Sequence, residues 1–244
     1  MSLPQVIILY GPPAAGKGTQ ALKLKSLLAD YYHLDFGTEL RKFVTDNLGD
    51  YNSSEESVVQ DAVPQDVEVA RRLKEEISKG PARTEDLRYV VEKAINDNIS
   101  AGKGMIIEGP GRLVEEAKWL SGFFAQKKVE VVIFHLHLDI DEAIKRAVSR
   151  YYIPGQKKPF KSYAEAQQHC KEGEQPFQRK DDTDSHSIKS RYKTLYSDHY
   201  AEIISIYQLE AKALVLTLNA DKSVEDVTKD LHSYLDRFFD FKVS

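Results

Sequence analysis

Residues Leu9 to Gln20 read LYGPPAAGKGTQ, and they begin just as an apolar run, QVIILY (Gln5–Tyr10), comes to an end. The segment places Gly11, Gly16 and Gly18 beside Pro12 and Pro13 and carries a single lysine, Lys17. A continuous apolar run followed by this mixture and then by a helical pattern reads as strand, loop, helix. Glycines let backbone N–H groups converge on an anion, and the helix N-terminus adds partial positive charge. Lys17 would reach the outer phosphates, while the two prolines stiffen the loop. Gly11, Pro12, Pro13, Ala14, Ala15, Gly16, Lys17, Gly18 and Thr19 are therefore the candidate phosphate cradle. One position departs from the usual pattern: Gly18 stands where Ser or Thr normally follows the lysine, and the hydroxyl comes one residue later, at Thr19.

Working outward, short apolar runs alternate with helical patterns. HLDF (His33–Phe36), GMIIEG (Gly104–Gly109), VEVVIFHLHL (Val129–Leu138) and ALVLTLN (Ala213–Asn219) read as four further strands. Helical periodicity marks the residues after Thr19, TELRKFVTDNL, two pieces broken at Pro64, and a helix from Thr84. It returns over LVEEAKWLSGFFAQ (Leu113–Gln126), after Asp139 or Asp141 as cap, from about Thr183 to about Leu209, and from Ser223 onward. Near-continuous apolar strands alternating with helices imply an α/β fold with three layers, α/β/α, around a five-stranded, mostly parallel sheet. Residues 38–98 and 151–178 fit the sheet poorly and read as two insertions on a core of 1–37, 99–150 and 179–244.

Bulk composition narrows the classes. The 244 residues are 41% hydrophobic and 30% charged with net charge −4, the balance of a globular protein without a broad basic field for nucleic acid. No apolar run approaches the roughly 20 residues that span a bilayer. The N-terminal apolar stretch lacks a basic flank and a small-residue cleavage site, so it reads as a strand and not as a signal peptide. One cysteine, Cys170, excludes an internal disulfide and points to a cytoplasmic protein. No membrane or nucleic-acid partner is expected, and a monomer is. Any anionic ligand must then be met by locally clustered arginines.

GKGTQ resembles the ending of the phosphate loop in the adenylate kinase and nucleoside monophosphate kinase family, and the resemblance continues down the chain. The family's Thr-Gly-Asp-x-x-Arg after the second strand is matched by Phe36-Gly37-Thr38-Glu39-Leu40-Arg41, which keeps the Gly and the Arg. Its Asp-Gly-Phe-Pro-Arg after the third strand becomes Glu108-Gly109-Pro110-Gly111-Arg112, and the base-reading Gln four residues on becomes Glu116. Arg146 and Arg150 are spaced like the pair that opens the family's mobile lid, and RKDD (Arg179–Asp182) is similar to the motif that closes it. Arg191 falls one residue later than the family's last phosphate-binding arginine.

This resemblance implies phosphoryl transfer from ATP to a nucleoside monophosphate, with Mg2+ and without zinc. Transfer between two anions needs charge neutralisation and in-line placement, which planar guanidinium forks supply. The family's roles fall on Lys17, Arg112, Arg150, Arg179 and Arg191 around the transferring group. Arg41, Arg112 and Gly109 fall at the acceptor phosphate, Arg146 on the donor base, and Thr19 with Glu108, through water, at the metal. Phe36 could stack on the acceptor base. AMP is the first acceptor implied, but a carboxylate at Glu116 accepts without donating, which suits a guanine edge or an adenine amino group alone. GMP, UMP or CMP therefore stay open, as does a catalytically weakened nucleotide-binding protein. Residues 38–98 would form the acceptor-binding segment and 151–178 the lid, closing to exclude water.

Weaker signals read as structural. His135 and His137 share one face of a strand without a third ligand in view. His169-Cys170 cannot supply a zinc set with one cysteine. Trp119, Phe123 and Phe124 sit at core spacing on a helix.

Overall fold

The computed structural model of the chain describes residues 5–49, 63–79, 84–108, 113–154, 159–178 and 182–239. Five strands, β1 (Val6–Tyr10), β2 (Tyr31–Asp35), β3 (Gly104–Glu108), β4 (Val131–His137) and β5 (Leu214–Asn219), form one sheet in the order β2-β3-β1-β4-β5. All four pairings are parallel, so the expected mostly parallel sheet is wholly so. β1 lies at its centre with every residue buried, which is why its sequence is a continuous apolar run rather than an alternation.

Ten helices cover the sheet among the described residues: α1 (Lys17–Leu27), α2 (Phe36–Leu48), α3 (Pro64–Lys79), α4 (Thr84–Ser100), α5 (Val114–Lys127), α6 (Ile140–Val148), α7 (Tyr163–Gln167), α8 (Ser185–Tyr192), α9 (Tyr200–Glu210) and α10 (Val224–Phe238). All but α7, whose one buried residue is Ala166, contribute buried apolar side chains to a common core. Leu24 of α1, Leu73 of α3, Val91 and Ile95 of α4, Phe124 of α5 and Leu231 and Leu235 of α10 are all sealed from solvent. The expected stretch 38–98 holds most of α2 with α3 and α4. Of these, α2 packs on α3 and α4, and α4 also packs on β3.

Two boundaries differ from the sequence reading. β2 starts at Tyr31 rather than His33, because Tyr31 pairs in register with Gly104 and its ring fills the space above it. A Cβ on Gly104 would meet that ring at 2.4 Å. At the other end Phe36 belongs to α2, since Asp35 caps the helix by accepting from the Thr38 amide at 2.9 Å and from the Thr38 hydroxyl. The single long helix expected from about Thr183 is divided. α8 runs into a π-helical turn, Lys193–Ser197, and α9 begins only at Tyr200. The turn carries Tyr196, whose ring packs between those of Tyr192 and Tyr200. The cap left open between Asp139 and Asp141 is Asp139, the residue preceding α6. Among the described residues no helix is long and apolar enough to cross a membrane.

Candidate active site

The carboxyl ends of parallel strands are where an α/β sheet leaves a crevice, because each chain turns there into a helix on one face or the other. A cleft of roughly 430 Å³ opens at that edge, over the ends of β1, β2 and β3. Its floor is the loop between β1 and α1. Gly11 lies so close to β4 that a Cβ there would sit 2.4 Å from the Leu136 carbonyl oxygen, and its φ of 153° lies in the region L side chains avoid. Gly16, at φ 87°, precedes the first turn of α1, and Lys17, Gly18 and Thr19 of that turn line the cleft at the helix's positive end. Ala14 holds a left-handed φ of 69°, a local strain stored in the loop.

Lys17 donates through Nζ to the carbonyls of Gly11 at 2.9 Å and Pro12 at 2.8 Å, so its ammonium is drawn back over the loop. Gly18 faces the end of β3, where a Cβ would lie 3.2 Å from Glu108 Oε2. This contact gives the unusual glycine its physical reason. A serine at that position would press against the carboxylate, so the hydroxyl is carried by Thr19, which also lines the cleft.

The walls come from distant parts of the chain. Arg41 reaches in from α2, its guanidinium folded back over Gly37, where a Cβ would be 3.4 Å from both terminal nitrogens. Arg150 comes from the end of α6 and Arg191 from α8. Arg191 also faces Asp182 at 3.6 Å, and the buried Asp182 accepts from the Tyr152 hydroxyl at 3.3 Å. Tyr152 and Pro159 bring the segment after Arg150 to the same cleft.

Other residues singled out in the sequence lie elsewhere. Phe36 is buried in the core and does not line the cleft. Its aromatic face is used in packing, so the base stacking expected of it has no support here. Glu116 lies in the first turn of α5, where its carboxylate accepts from the Leu113 amide at 3.4 Å. Arg146 turns to the loop after β5, donating to the Ala220 carbonyl at 2.8 Å and, with longer geometry, the Asp221 carbonyl at 3.2 Å. It also pairs with Glu142 at 2.9 Å. Pro12 and Ala15 are buried beneath the loop. Gly109, Pro110, Gly111, Arg112 and Arg179 lie outside the described residues.

Among the cleft residues that sequence reasoning missed are His33 and Asp35. Both stand on β2, and Asp35 pairs in register with Glu108, so the two carboxylates leave adjacent strands on the same face. His33 Nε2 lies 3.1 Å from Glu108 Oε1 and donates to it. The available signal was the Asp-x-x-Thr spacing from Asp35 to Thr38, a helix cap placed at a strand's carboxyl end. His169 and Cys170 are distant from this chemistry, with the His169 ring stacked on Phe160 at 5.1 Å.

Comparison with known proteins agrees with this arrangement. Residues 10–153, more than half of the chain, match a family model described as AAA domain. An adenylate kinase of Kosmotoga olearia is 27% identical over 240 residues, covering 94% of this chain and 98% of that protein. An adenylate kinase of Chlamydia pneumoniae is 25% identical and covers 95% of this chain and 100% of its own length. Adenylate kinase 4 of Oryza sativa subsp. japonica is 29% identical over 94% of this chain and 86% of its own. The chain belongs to the P-loop family described as AAA domain and is an adenylate kinase-like phosphotransferase.

Proposed function

We propose that the protein transfers the γ-phosphoryl group of magnesium-bound ATP to a nucleoside monophosphate, AMP first, giving two nucleoside diphosphates. The observation that supports this most is the convergence of Lys17, Arg41, Arg150 and Arg191, from four separate elements, on one cleft floored by a phosphate loop. In a chain of net charge −4, such a local concentration of cations is a built anion site.

The donor's phosphates lie along the loop, accepting from its N–H groups and the first turn of α1. Lys17 then exchanges the Gly11 and Pro12 carbonyls for phosphate oxygens, so the loop's own acceptors hold the ammonium in place before ligand arrives. Arg41 holds the acceptor phosphate, while Arg150 and Arg191 neutralise charge that develops on the transferring group. Thr19 and Glu108 provide the hard oxygen donors that magnesium prefers, with Asp35 beside them. The metal, when bound, supplies charge neutralisation on the donor's outer phosphates. His33 fixes the Glu108 carboxylate from below, leaving its other oxygen toward Gly18. Residues from Tyr151 onward act as the lid, and Tyr152 and Pro159 already border the cleft.

A coupled diphosphate-release assay with MgATP and, in turn, AMP, GMP, UMP and CMP tests this reading. One monophosphate must stimulate turnover well above ATP alone. If none does, the kinase reading fails and nucleotide binding without transfer takes its place.

A further inference from the structure

Directly behind the phosphate loop lies a polar cluster that the reaction does not touch, buried at Tyr10, His135 and Tyr196, half-buried at Tyr200 and exposed at Thr217. Tyr10, His135 and Thr217 are register partners on β1, β4 and β5, so they stand side by side on one face at the carboxyl end of the sheet. Tyr10 is the last residue before Gly11. Across from them lies the chain that leaves α8. Tyr196, in the π-helical turn, meets His135 Nε2 at 2.8 Å. The Tyr200 hydroxyl meets His135 Nδ1 at 3.1 Å, and Thr217 Oγ1 meets the same nitrogen at 3.3 Å. One turn earlier, Tyr192 donates to the Leu138 carbonyl at 2.8 Å. The rings also pack: Tyr10 is 6.0 Å from both Tyr196 and Tyr200, and His135 is 4.4 Å from Tyr200.

His135 is 3% exposed and Tyr196 5%. A neutral imidazole has one donor and one acceptor, and the surrounding hydroxyls can serve either, so both ring nitrogens are satisfied in either tautomer. A buried network of this kind specifies one arrangement of the segments it joins, since a lost partner leaves a polar atom stranded. The segments joined here are the sheet and Arg191–Tyr200, and the latter delivers Arg191 and Leu195 to the cleft. Within that segment the π-helical turn, Lys193–Ser197, carries both Tyr196 and the cleft residue Leu195.

We propose that His135 and Tyr196 are positioning residues, which act through the π-helical turn to hold Arg191 at the transferring phosphoryl group. The inference rests on the functional reading above. It adds that catalytic alignment is set from behind the phosphate loop, by a contact that no substrate makes.

A double-mutant cycle decides it, using the full-length chain. Tyr196→Phe keeps the ring and removes only the hydroxyl, and His135→Gln is the second variant, keeping a donor and an acceptor. Both are first checked for native circular dichroism and cooperative melting. Tyr196→Phe is expected to lower kcat about tenfold while KM for MgATP changes less than about twofold. In an Arg191→Ala background the same substitution is expected to cost less than about twofold, because the group it positions is already gone. His135→Gln should restore more activity than His135→Leu, which offers no polar partner. The affinity of an ATP–AMP bisubstrate dinucleotide, measured by calorimetry through the same cycle, gives a readout independent of turnover. Losses that add in full across both cycles overturn the positioning role. A wild-type chain that binds the dinucleotide but turns over no monophosphate overturns the functional reading, and the binding cycle still decides the positioning role. A wild type that does neither overturns both.

Discussion

Gly18 and Glu108 are in contact range across the base of the cleft: a Cβ on Gly18 would stand 3.2 Å from Glu108 Oε2 and 3.5 Å from Oε1. The first turn of α1 and the end of β3 therefore approach each other as closely as a glycine allows. Gly18→Ser would recreate the commoner phosphate-loop ending, yet it should impair the protein. The added atoms crowd the carboxylate, which must give by a few tenths of an ångström, so kcat/KM should fall by roughly twofold to tenfold. Steady-state kinetics with MgATP checks this, and the melting temperature should stay within a few degrees because Glu108 can swing aside.

Gly11→Ala behaves differently, because its obstacle is backbone. The new carbon would lie 2.4 Å from the Leu136 carbonyl oxygen at a φ of 153°. The strand pair β1–β4 has to separate locally, at a cost of about 3 kcal/mol or more. For a chain of this length that lowers the melting temperature by roughly 6–12 °C, read by calorimetry.

Asp35 stabilises the start of α2 by bonding the Thr38 amide and hydroxyl. Asp35→Ala should cost about 1 kcal/mol in urea unfolding from the lost cap. It should also raise the magnesium concentration needed for half-maximal turnover, because a cleft carboxylate is removed. Asp35→Asn, which keeps the capping oxygen, separates the two effects and should show only the second.

Burial, helped by the neighbouring His137, pushes the His135 imidazole down from its usual value of 6.5 to about 4. The unfolded chain therefore takes up a proton near pH 6.5 that the folded chain refuses until about pH 4. The neutral-histidine contribution to stability is complete above pH 6.5, declines as pH falls through that window, and levels off below about pH 4. Its size is about 3 kcal/mol. Urea unfolding at pH 7.5, 6 and 5 should show a steeper loss in the wild type than in His135→Gln, whatever the variant's stability at pH 7.5.

Much of this was readable in the residues. β1 is a continuous apolar run because it is buried on both faces, and the loop after it carries glycines where backbone approach demands them. Strand β2 was placed two residues late because the ring that fixes its start, Tyr31, makes sense only beside Gly104 of β3, over 70 positions away. The helix from Thr183 was read as continuous because its apolar spacing is helical throughout. The π-helical turn leaves no mark in that spacing; in the structure its Tyr196, with Tyr200 beyond it, meets His135 of β4. Arg41, Arg150 and Arg191 were singled out through the family resemblance, and all three line the cleft. Phe36, Glu116 and Arg146 stand outside the cleft lining: Phe36 is buried, Glu116 bonds the Leu113 amide at a helix start, and Arg146 bonds the loop after β5.

The central claim is phosphoryl transfer at the loop that holds Lys17. The direct measurement is transfer of label from γ-³²P-ATP to AMP in the presence of magnesium, by wild type and by Lys17→Ala. Labelled ADP should accumulate with the wild type, fall at least a hundredfold with the variant, and cease when the metal is chelated. Label that appears only in inorganic phosphate, or equal transfer by the two proteins, would contradict the account.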